Sequence, residues 1–539
     1  MCVEKSSSIV KQASILALAG ILVRIIGVLY RSPLKALIGA EGNGYYSTAY
    51  NIYALILLIS SYSIPTAISK LISEKLALKQ YNNAKKILKC AFLYVCVIGG
   101  CAAVIAFIIA PYIVPENAVM ALRVLCPTIF LSGLLGVFRG YFQAHQTTLY
   151  TSISQIVEQI LNAIVSIGAA YLFIQPFLET GGSQLASHGA AGSALGTGAG
   201  VLTALIFMVM MFLKKNANTF IPDEEDEYED SYKDIFKTIL NIVTPIIIAT
   251  CVYNLISTID MYLYYFAMNK AALDSVTMIS NYGLYSGEYI VLQNVPVALA
   301  SAMSTASIPA ISSAWAKKEY ALTKEHIRSG IRTTMLILIP ASVGMAVLSY
   351  PIIGLIFPQN VDVSSMLLTC GAPAIAFYGL STLTNGILQA IGEVKTPLKN
   401  ATIALVTHCV IVIILLLFTP LGLYSLVVGN CTYALQVCLL NQLALRKKLK
   451  YKQEIRRTYI LPLIASVIMG AIVYGIYASL HALTHSVVIP LALSVIAGVV
   501  IYFAIILFIY SDHADELNSI PYMGRIINKL KRTLKKDSK

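Results

Sequence analysis

Residues 20–50 read GILVRIIGVLYRSPLKALIGAEGNGYYSTAY, and the arginine at position 24 decides how this stretch is interpreted. Arg24 lies inside an apolar run, residues 9–30, that is long enough to cross a bilayer as a helix. A charge at that depth costs at least about 2.5–3.5 kcal/mol on insertion scales, so it normally faces a protein interior or water. The stretch therefore predicts a membrane helix that presents a positive charge to a cavity.

Two further basic residues follow Arg24 at helical spacing. Arg31 comes seven residues later and Lys35 eleven residues later, so at about 100° per residue all three would share one face of a continuous helix. Pro33 is expected to bend that helix, which makes Lys35 the least secure member. A basic stripe suggests a cavity for an anion, and the alternative is that Arg31 and Lys35 extend to the membrane interface.

The composition predicts an all-α polytopic membrane protein. Of 539 residues, 57% are hydrophobic and only 12% are charged, and apolar runs of about 20 residues recur along the chain, as spanning helices require. We expect about fourteen spans, at residues 9–30, 44–69, 90–114, 118–141, 151–174, 188–213, 236–266, 283–312, 331–357, 365–391, 399–418, 421–445, 458–480 and 486–510.

The distribution of basic residues predicts the orientation. Lys and Arg cluster at even-numbered junctions between the predicted spans, the second (70–89), the eighth (317–332) and the twelfth (446–457), and the C-terminal tail is basic too. Loops on the other side contain no Lys or Arg: 111–117, 175–187, 358–363 and 481–485. By the positive-inside rule both termini are expected in the cytoplasm.

An internal duplication predicts two halves of six spans each. The segment PTIFLSGLLGVFRGYFQA from Pro127 aligns with PAIAFYGLSTLTNGILQA from Pro373, and a second match pairs Ser-Ile-Pro at 63–65 with the same tripeptide at 307–309. An even number of spans separates the copies, so the halves have the same orientation and a central cavity is expected at the repeat interface. The predicted organisation is an N-lobe (1–213), an acidic cytoplasmic linker (214–235), a C-lobe (236–445), spans thirteen and fourteen (446–510), and a basic amphipathic tail on the anionic inner leaflet (511–539).

Further charged and polar side chains inside the spans are candidate site residues. Asp260 and Glu288 map, with Arg24 and Arg31, to the outer half of the membrane, where opposite charges could close on each other. The alternative is an interhelix ion pair that only fixes packing. Asn254 and Gln293 could line the cavity or bond a neighbouring helix. A structural or gating role is expected for Glu158, Arg123, Arg139 and Lys35.

The sequence contains no pattern of covalent chemistry. It lacks a nucleophile elbow, a phosphate-binding P-loop and metal-ligand spacing, so we expect neither an enzyme, nor a metal site, nor a cofactor. The basic residues form no separate domain, which argues against nucleic acid as a partner. Any driving force would come from a coupling ion, the membrane potential or the substrate gradient.

Several motifs resemble the SpoVB/YtgP branch of bacterial polysaccharide transporters, in the MurJ-like group of the multidrug/oligosaccharidyl-lipid/polysaccharide (MOP) exporter superfamily. They are R-I-I-G-x-x-Y-R-x-P at 24–33, I-G-A-E-G-x-G-x-Y at 38–46, S-I-P-x-A-I-S-K at 63–70, and F-R-G-Y-F-Q-A with S-Q-I-V-E-Q within 138–159. The resemblance implies alternating access between two lobes, with Arg24 as the cavity arginine of the first span. It also implies a lipid-tail groove at spans thirteen and fourteen. The sequence departs from the pattern because 44–69 and 283–312 contain no Lys or Arg.

The function implied is a flippase for an undecaprenyl-pyrophosphate-linked saccharide, with the peptidoglycan precursor lipid II first among the substrates. Membrane lipids and cell-wall synthesis proteins are the expected partners, in vegetative wall or in spore formation. The alternative is a cation-coupled multidrug exporter of the same superfamily, with Asp260 or Glu288 as coupling carboxylate. A membrane-embedded glycosyltransferase would be expected to have a larger extramembrane loop than this chain offers.

Overall fold

The computed structural model is helical throughout its described part. It describes residues 19–509 except 21, 59, 61–63, 146, 180, 217–229 and 394, and nothing is described of the side chains of 241–254. The acidic run 223–229 and the basic tail therefore lie outside the described residues. The described part of the chain contains eighteen α-helices. The predicted all-α polytopic membrane fold is confirmed.

The helices follow the chain in the order predicted from its apolar runs. They are α1 (22–29), α2 (Arg31–Leu57), α3 (Ile64–Ala77), α4 (Tyr81–Tyr94), α5 (Gly100–Ile113), α6 (Glu116–Ala144), α7 (Thr148–Ile174), α8 (Gly182–Asn216), α9 (Tyr232–Lys270), α10 (Ser275–Leu284), α11 (Ile290–Ala316), α12 (Tyr320–Val347), α13 (Ser349–Ile356), α14 (Val361–Ala390), α15 (Lys395–Phe418), α16 (Tyr424–Leu449), α17 (Leu461–Thr484) and α18 (Val488–Ile509). Short π-helical turns join α4 to α5, α10 to α11, and the loop before α17 to that helix.

Ten helical stretches of the described part are long and apolar enough to cross a membrane. The described residues of the remaining four predicted spans, 9–30, 44–69, 236–266 and 283–312, lie largely in α1, α2–α3, α9 and α10–α11. Three of these four carry one of the intramembrane charges Arg24, Asp260 and Glu288, and such charges reduce the apolarity of a span.

The first helix is longer than predicted. Tyr30 has helical dihedral angles, and the Leu34 amide donates to the Tyr30 carbonyl, so α1 runs directly into α2. Pro33 is the third residue of α2 and donates no backbone hydrogen bond there. The helix breaks instead at Gly39 (φ 73°, ψ 178°), a conformation that L side chains rarely adopt. The structure places the break at Gly39, and the expected bend at Pro33 stays a prediction.

The chain forms two compact units. The first contains Met1–Val295 with Ala401–Gly429, and the second contains Pro296–Asn400 with Asn430–Lys539. This division differs from the predicted lobe boundary at 214–235, because α9 and α10 pack with α2 in the first unit. The predicted lobes stay a prediction.

The duplicated segments occupy equivalent positions within their own units. Pro127 lies inside α6 and Pro373 inside α14, two helices of nearly equal length. A Cβ on Gly140 would lie 2.8 Å from the Pro65 carbonyl oxygen, and a Cβ on Gly386 would lie 2.3 Å from the Ser304 Oγ. In each copy the glycine lets its helix approach the helix that carries the Ile-Pro pair of the second match.

Candidate functional site

The first unit contains a polar cavity of about 900 Å³. Its wall is built from α1, α2, the start of α3, α6, α7, α8 and the start of α11. Three arginines and one glutamate line it, together with four tyrosines and several amide side chains: Arg24, Arg31, Arg139, Glu158, Tyr30, Tyr46, Tyr50, Tyr53, Gln143, Gln155, Gln159, Asn162 and Asn294. The formal charge of this wall is +2, from three positive groups and one negative group. Such a cavity is suited to an anion.

Arg24 and Arg31 project into this cavity from one continuous helix, as their spacing predicted. Each also contacts the segment after α10 through a backbone carbonyl. The Arg24 Nη1 donates to the Asn294 carbonyl, and the Arg31 Nη1 donates to the Gly287 carbonyl at 3.2 Å. Both side chains are only half-buried. A backbone carbonyl has no net charge, so these two contacts do not neutralise the guanidinium groups.

Arg139 and Glu158 lie in the same cavity and pair with each other. The Arg139 Nη2 donates to the Glu158 Oε2 at 2.7 Å, and its Nε donates to the Ser154 Oγ at 3.0 Å. In the predicted topology both residues lie towards the cytoplasmic ends of α6 and α7. In that predicted topology the cavity would extend from Arg24 towards the cytoplasmic side.

The tyrosines of the wall were not singled out from the sequence. Tyr46, Tyr50 and Tyr53 recur at spacings of four and three residues, which places them on one face of α2. That spacing could have identified them from the sequence as one face of a helix. Their rings provide broad amphipathic surfaces beside the arginines, and adjacent centroids lie 5.6–5.8 Å apart.

Lys35 and Glu288 form an ion pair away from the cavity. Their side chains are 2% and 0% exposed. The alternative that Lys35 extends to the membrane interface is therefore wrong, because the helix continues past Pro33 and carries Lys35 into the protein interior. For Glu288 the contact observed is the interhelix ion pair that the sequence left open, and Glu288 does not line the cavity.

Around this ion pair, the second half of α2 lies very close to α10. A Cβ on Gly44 would lie 2.3 Å from the Ile279 carbonyl oxygen, and one on Gly283 would lie 2.8 Å from the Gly44 amide nitrogen. The Asn51 Nδ2 donates to the Tyr282 hydroxyl at 2.7 Å. Small residues allow the backbones to approach and polar groups join them, which is the usual way that membrane helices associate.

Asp260 is also buried, and its partner is a histidine that sequence reasoning missed. The Asp260 Oδ1 lies 2.6 Å from the His408 Nε2, and the Asp260 Oδ2 accepts from the Tyr285 hydroxyl at 3.2 Å. Asp260 does not line the cavity. The available signal was a histidine in the middle of the apolar run 399–418, but nothing in the sequence paired it with a residue 148 positions earlier.

The other predicted site residues lie elsewhere. Gln293 is 3% exposed and does not line the cavity. Asn254 lies in α9, and its side chain is outside the described part. Arg123 is exposed on α6, where its guanidinium lies 5.1 Å from the centre of the Phe107 ring. Gln293 and Arg123 therefore do not line the cavity with the arginines.

The second unit contains a separate apolar cavity of about 330 Å³ between α12, α13, α17 and α18. Its lining is almost entirely aliphatic and aromatic, with Leu336, Met345, Val473, Val499 and Phe503 among its members. Spans thirteen and fourteen, where the resemblance implies a lipid-tail groove, thus form one side of an apolar cavity.

Comparisons with known proteins agree with this architecture. A family model described as "Polysaccharide biosynthesis protein" matches residues 9–315, and one described as "MatE" matches residues 290–414. The Bacillus subtilis protein "Lipid II flippase MurJ" is 25% identical over 75% of this chain and 77% of its own length. The "Stage V sporulation protein B" of Bacillus subtilis is 23% identical over 96% of this chain and 98% of its own length.

Among solved structures, "Lipid II flippase MurJ, inward closed conformation" has a TM-score of 0.69 at 17% identity, covering 92% of this chain and 99% of that one. An inward-facing multidrug resistance MATE family transporter of the MOP superfamily has a TM-score of 0.63 at 15% identity, covering 80% and 99%. These structural likenesses concern the fold. Because the first family model spans more than half of the sequence, this chain belongs to the polysaccharide biosynthesis protein family and is homologous to MurJ and SpoVB of the MOP superfamily.

Proposed function

We propose that this protein is a flippase that carries an undecaprenyl-pyrophosphate-linked saccharide across the bacterial cytoplasmic membrane, with lipid II as its substrate and both termini in the cytoplasm. The observation that carries the proposal is the basic, polar cavity of the first unit. Homology to a protein named as a lipid II flippase supports it. A pyrophosphate and a hydrated sugar cannot cross hydrocarbon without polar partners, and this cavity offers them.

The cavity arginines would hold the pyrophosphate. Arg24 and Arg31 present guanidinium groups on one helix face, and a guanidinium binds phosphate oxygens through paired N–H donors. Arg139 adds a third positive charge, partly offset by Glu158 at 2.7 Å. Tyr46, Tyr50 and the amide side chains would bind the sugar through hydrogen bonds and ring contacts.

The close contact between α2 and α10 would be the closure that opens during alternating access. It combines the buried Lys35–Glu288 pair with the Gly44–Gly283 approach. In the predicted topology this contact lies towards the outer side, while the cavity extends towards the cytoplasm. Release of a substrate to the outer leaflet would then require α2 and α10 to separate.

The apolar cavity beside α17 and α18 would receive part of the lipid tail. Its walls offer methyl and aromatic groups with few polar atoms, so a polyprenyl chain would lose little by leaving the lipid phase. Each part of the proposed substrate then has a chemically matched cavity: a basic one for the head and an apolar one for the tail.

The test is the accessibility of lipid II at the outer face of cells depleted of their own flippase. Expression of this chain should restore accessible lipid II and growth, whereas Arg24→Ala should abolish both. Arg123→Ala is the matched control, because Arg123 lies outside the cavity, and it should behave as wild type. Normal growth with Arg24→Ala at normal protein level would refute the assignment of Arg24.

Failure of the well-expressed wild-type chain would reject lipid II and direct attention to another undecaprenyl-linked saccharide. The absence of Lys and Arg from 44–69 and 283–312 would then be the first sequence feature to examine. The alternative of a multidrug exporter predicts cation-dependent efflux of cationic dyes. A cavity with three arginines and one carboxylate disfavours such cargo.

A further inference from the structure

Asp260 and His408 form a buried acid–base pair that the proposed substrate path does not use. Their side chains are 2% and 0% exposed, on α9 and α15 of the first unit. The ring approaches α16 closely, since a Cβ on Gly429 would lie 2.8 Å from the His408 Cε1. Glycine at this position leaves the space that the imidazole occupies.

The hydrogen bonds of the pair fix how many protons it holds. The His408 Nδ1 lies 2.9 Å from the Gly429 carbonyl, which can only accept, so Nδ1 must carry a hydrogen. A neutral ring with that tautomer has a lone pair on Nε2. Only 2.6 Å separates Nε2 from the Asp260 Oδ1, and two acceptors would repel at that distance. One additional proton therefore lies between the two atoms.

The proton determines the charge of a buried site. With it, the imidazole and the carboxyl group are neutral as a pair, whichever atom holds it. Without it, a carboxylate would remain buried with no opposing charge on its histidine, which is strongly unfavourable. Loss of the proton is therefore favourable only when the packing around the pair changes, and proton binding and conformation are linked.

A chain of contacts connects the pair to the cavity. The Tyr285 hydroxyl donates to the Asp260 Oδ2 at 3.2 Å, and Tyr285 begins the π-helical turn Tyr285–Tyr289. The same turn contains Glu288, which pairs with Lys35, and Gly287, whose carbonyl accepts from Arg31. A π-helical turn inside a helix frequently marks a functional site.

We propose that the Asp260–His408 pair is a proton-binding site that couples proton movement to the conformational cycle of the transporter. A proton enters from one aqueous phase, is held between Nε2 and Oδ1 in the closed state, and leaves to the other phase. No electron is transferred. Among the side chains that the structure describes, the other ionisable groups near the pair are Tyr282 and Tyr285 from the neighbouring segment and Cys409 beside His408. The coupling rests on the proposed flippase function, while the presence of the proton does not.

The first experiment tests whether the pair holds a proton. It records the ¹⁵N NMR spectrum of the full chain, labelled at histidine, in lipid nanodiscs. At pH 7.5 the spectrum should contain one ring whose two nitrogens both carry or share a proton, and this signal should be missing from His408→Gln. In Asp260→Asn the His408 ring should become neutral. A wild-type His408 ring with an unprotonated Nε2 would overturn the proposal.

Coupling is tested in proteoliposomes with labelled lipid II under an imposed pH gradient. For one proton per substrate, the steady-state ratio of lipid II between leaflets should shift by up to tenfold per pH unit in the wild type. His408→Gln should equilibrate lipid II without that shift. His188→Gln is the matched control, because His188 stacks on Phe177 at the start of α8 and should retain the wild-type shift.

The outcomes separate the two proposals. An unchanged gradient response in His408→Gln would overturn the coupling site and leave the flippase function intact. No movement of lipid II by the wild type or by His188→Gln would reject the proposed function, and the histidine spectrum would still decide whether the pair binds a proton.

Discussion

Glu288→Gln is the substitution that examines the proposed outer closure most directly. Glutamine keeps the shape of the side chain and removes its charge. Lys35 then remains at 2% exposure without the carboxylate that it faces. Because the pair joins α2 to the turn after α10, any conformation in which these segments separate would expose Lys35 to water and relieve the cost.

The magnitude follows from the burial of both partners. Removing one member of a buried ion pair costs about 3–5 kcal/mol. If the pair is made only in the closed state, that cost lowers the ratio of closed to open molecules by about two to nearly four orders of magnitude, at 1.4 kcal/mol per factor of ten. The closed state would lose its dominance, and transport should slow because the cycle stalls in the open state.

The assay is a crosslink between α2 and the turn after α10. The Asn51 Nδ2 lies 3.3 Å from the Ser286 Oγ, so an N51C/S286C pair should react with a short bis-thiol reagent in the closed state. Peptide mass spectrometry would measure the crosslinked fraction, which should be high in the parent and at least tenfold lower with Glu288→Gln added. Glu393→Gln is the matched control, because its partner Lys448 is 52% exposed and such pairs contribute about 0–1 kcal/mol.

The double variant K35M/E288Q distinguishes a lost charge pair from damaged packing. It removes both buried charges, so crosslinking should recover towards the parent level relative to Glu288→Gln alone. An unchanged crosslinked fraction in Glu288→Gln would refute the reasoning. Equal loss in the single and double variants would show that packing, and not the uncompensated lysine, controls the closure.

Three further predictions concern other parts of the molecule. Arg139→Ala lowers the formal charge of the cavity wall from +2 to +1 and frees Glu158 to repel a phosphate, so lipid II binding should weaken about tenfold by equilibrium titration, and unchanged affinity would contradict the charge argument. Gly44→Ala should lower stability by about 1–3 kcal/mol in thermal unfolding because its Cβ would meet backbone at 2.3 Å, whereas Gly168→Ala, in open space, should be neutral or stabilising. In the α14–α15 loop, hydrogen bonds from Lys448 and Thr396 lower the pKa of Glu393 below its ordinary value of 4.5. The resulting stabilisation of the folded state is fully present above pH 4.5 and is lost as the pH falls through the lowered pKa. In thermal unfolding, Glu393→Gln should therefore be less stable than wild type at about pH 7, and the two stabilities should converge in acid.

The sequence determined the fold class and the order of the spans. Runs of about 20 apolar residues can satisfy their backbone groups in lipid only as helices, so the spans follow from composition and length. The same reasoning identified Arg24, because a charge in such a run must face a cavity or a partner. The repeat was visible because several identical residues of the two segments, beginning with Pro127 and Pro373, align at the same offset.

The tertiary structure alone decided which buried charges line the cavity and which pair with each other. Arg24 and Arg31 face the cavity, but Lys35, only four residues beyond Arg31, pairs with Glu288 because the helix continues to Ile38 before Gly39 breaks it. His408 meets Asp260 across 148 positions of sequence. Local spacing specifies the face of one helix, whereas a partner on another helix depends on how helices pack, and that information is spread over the whole chain.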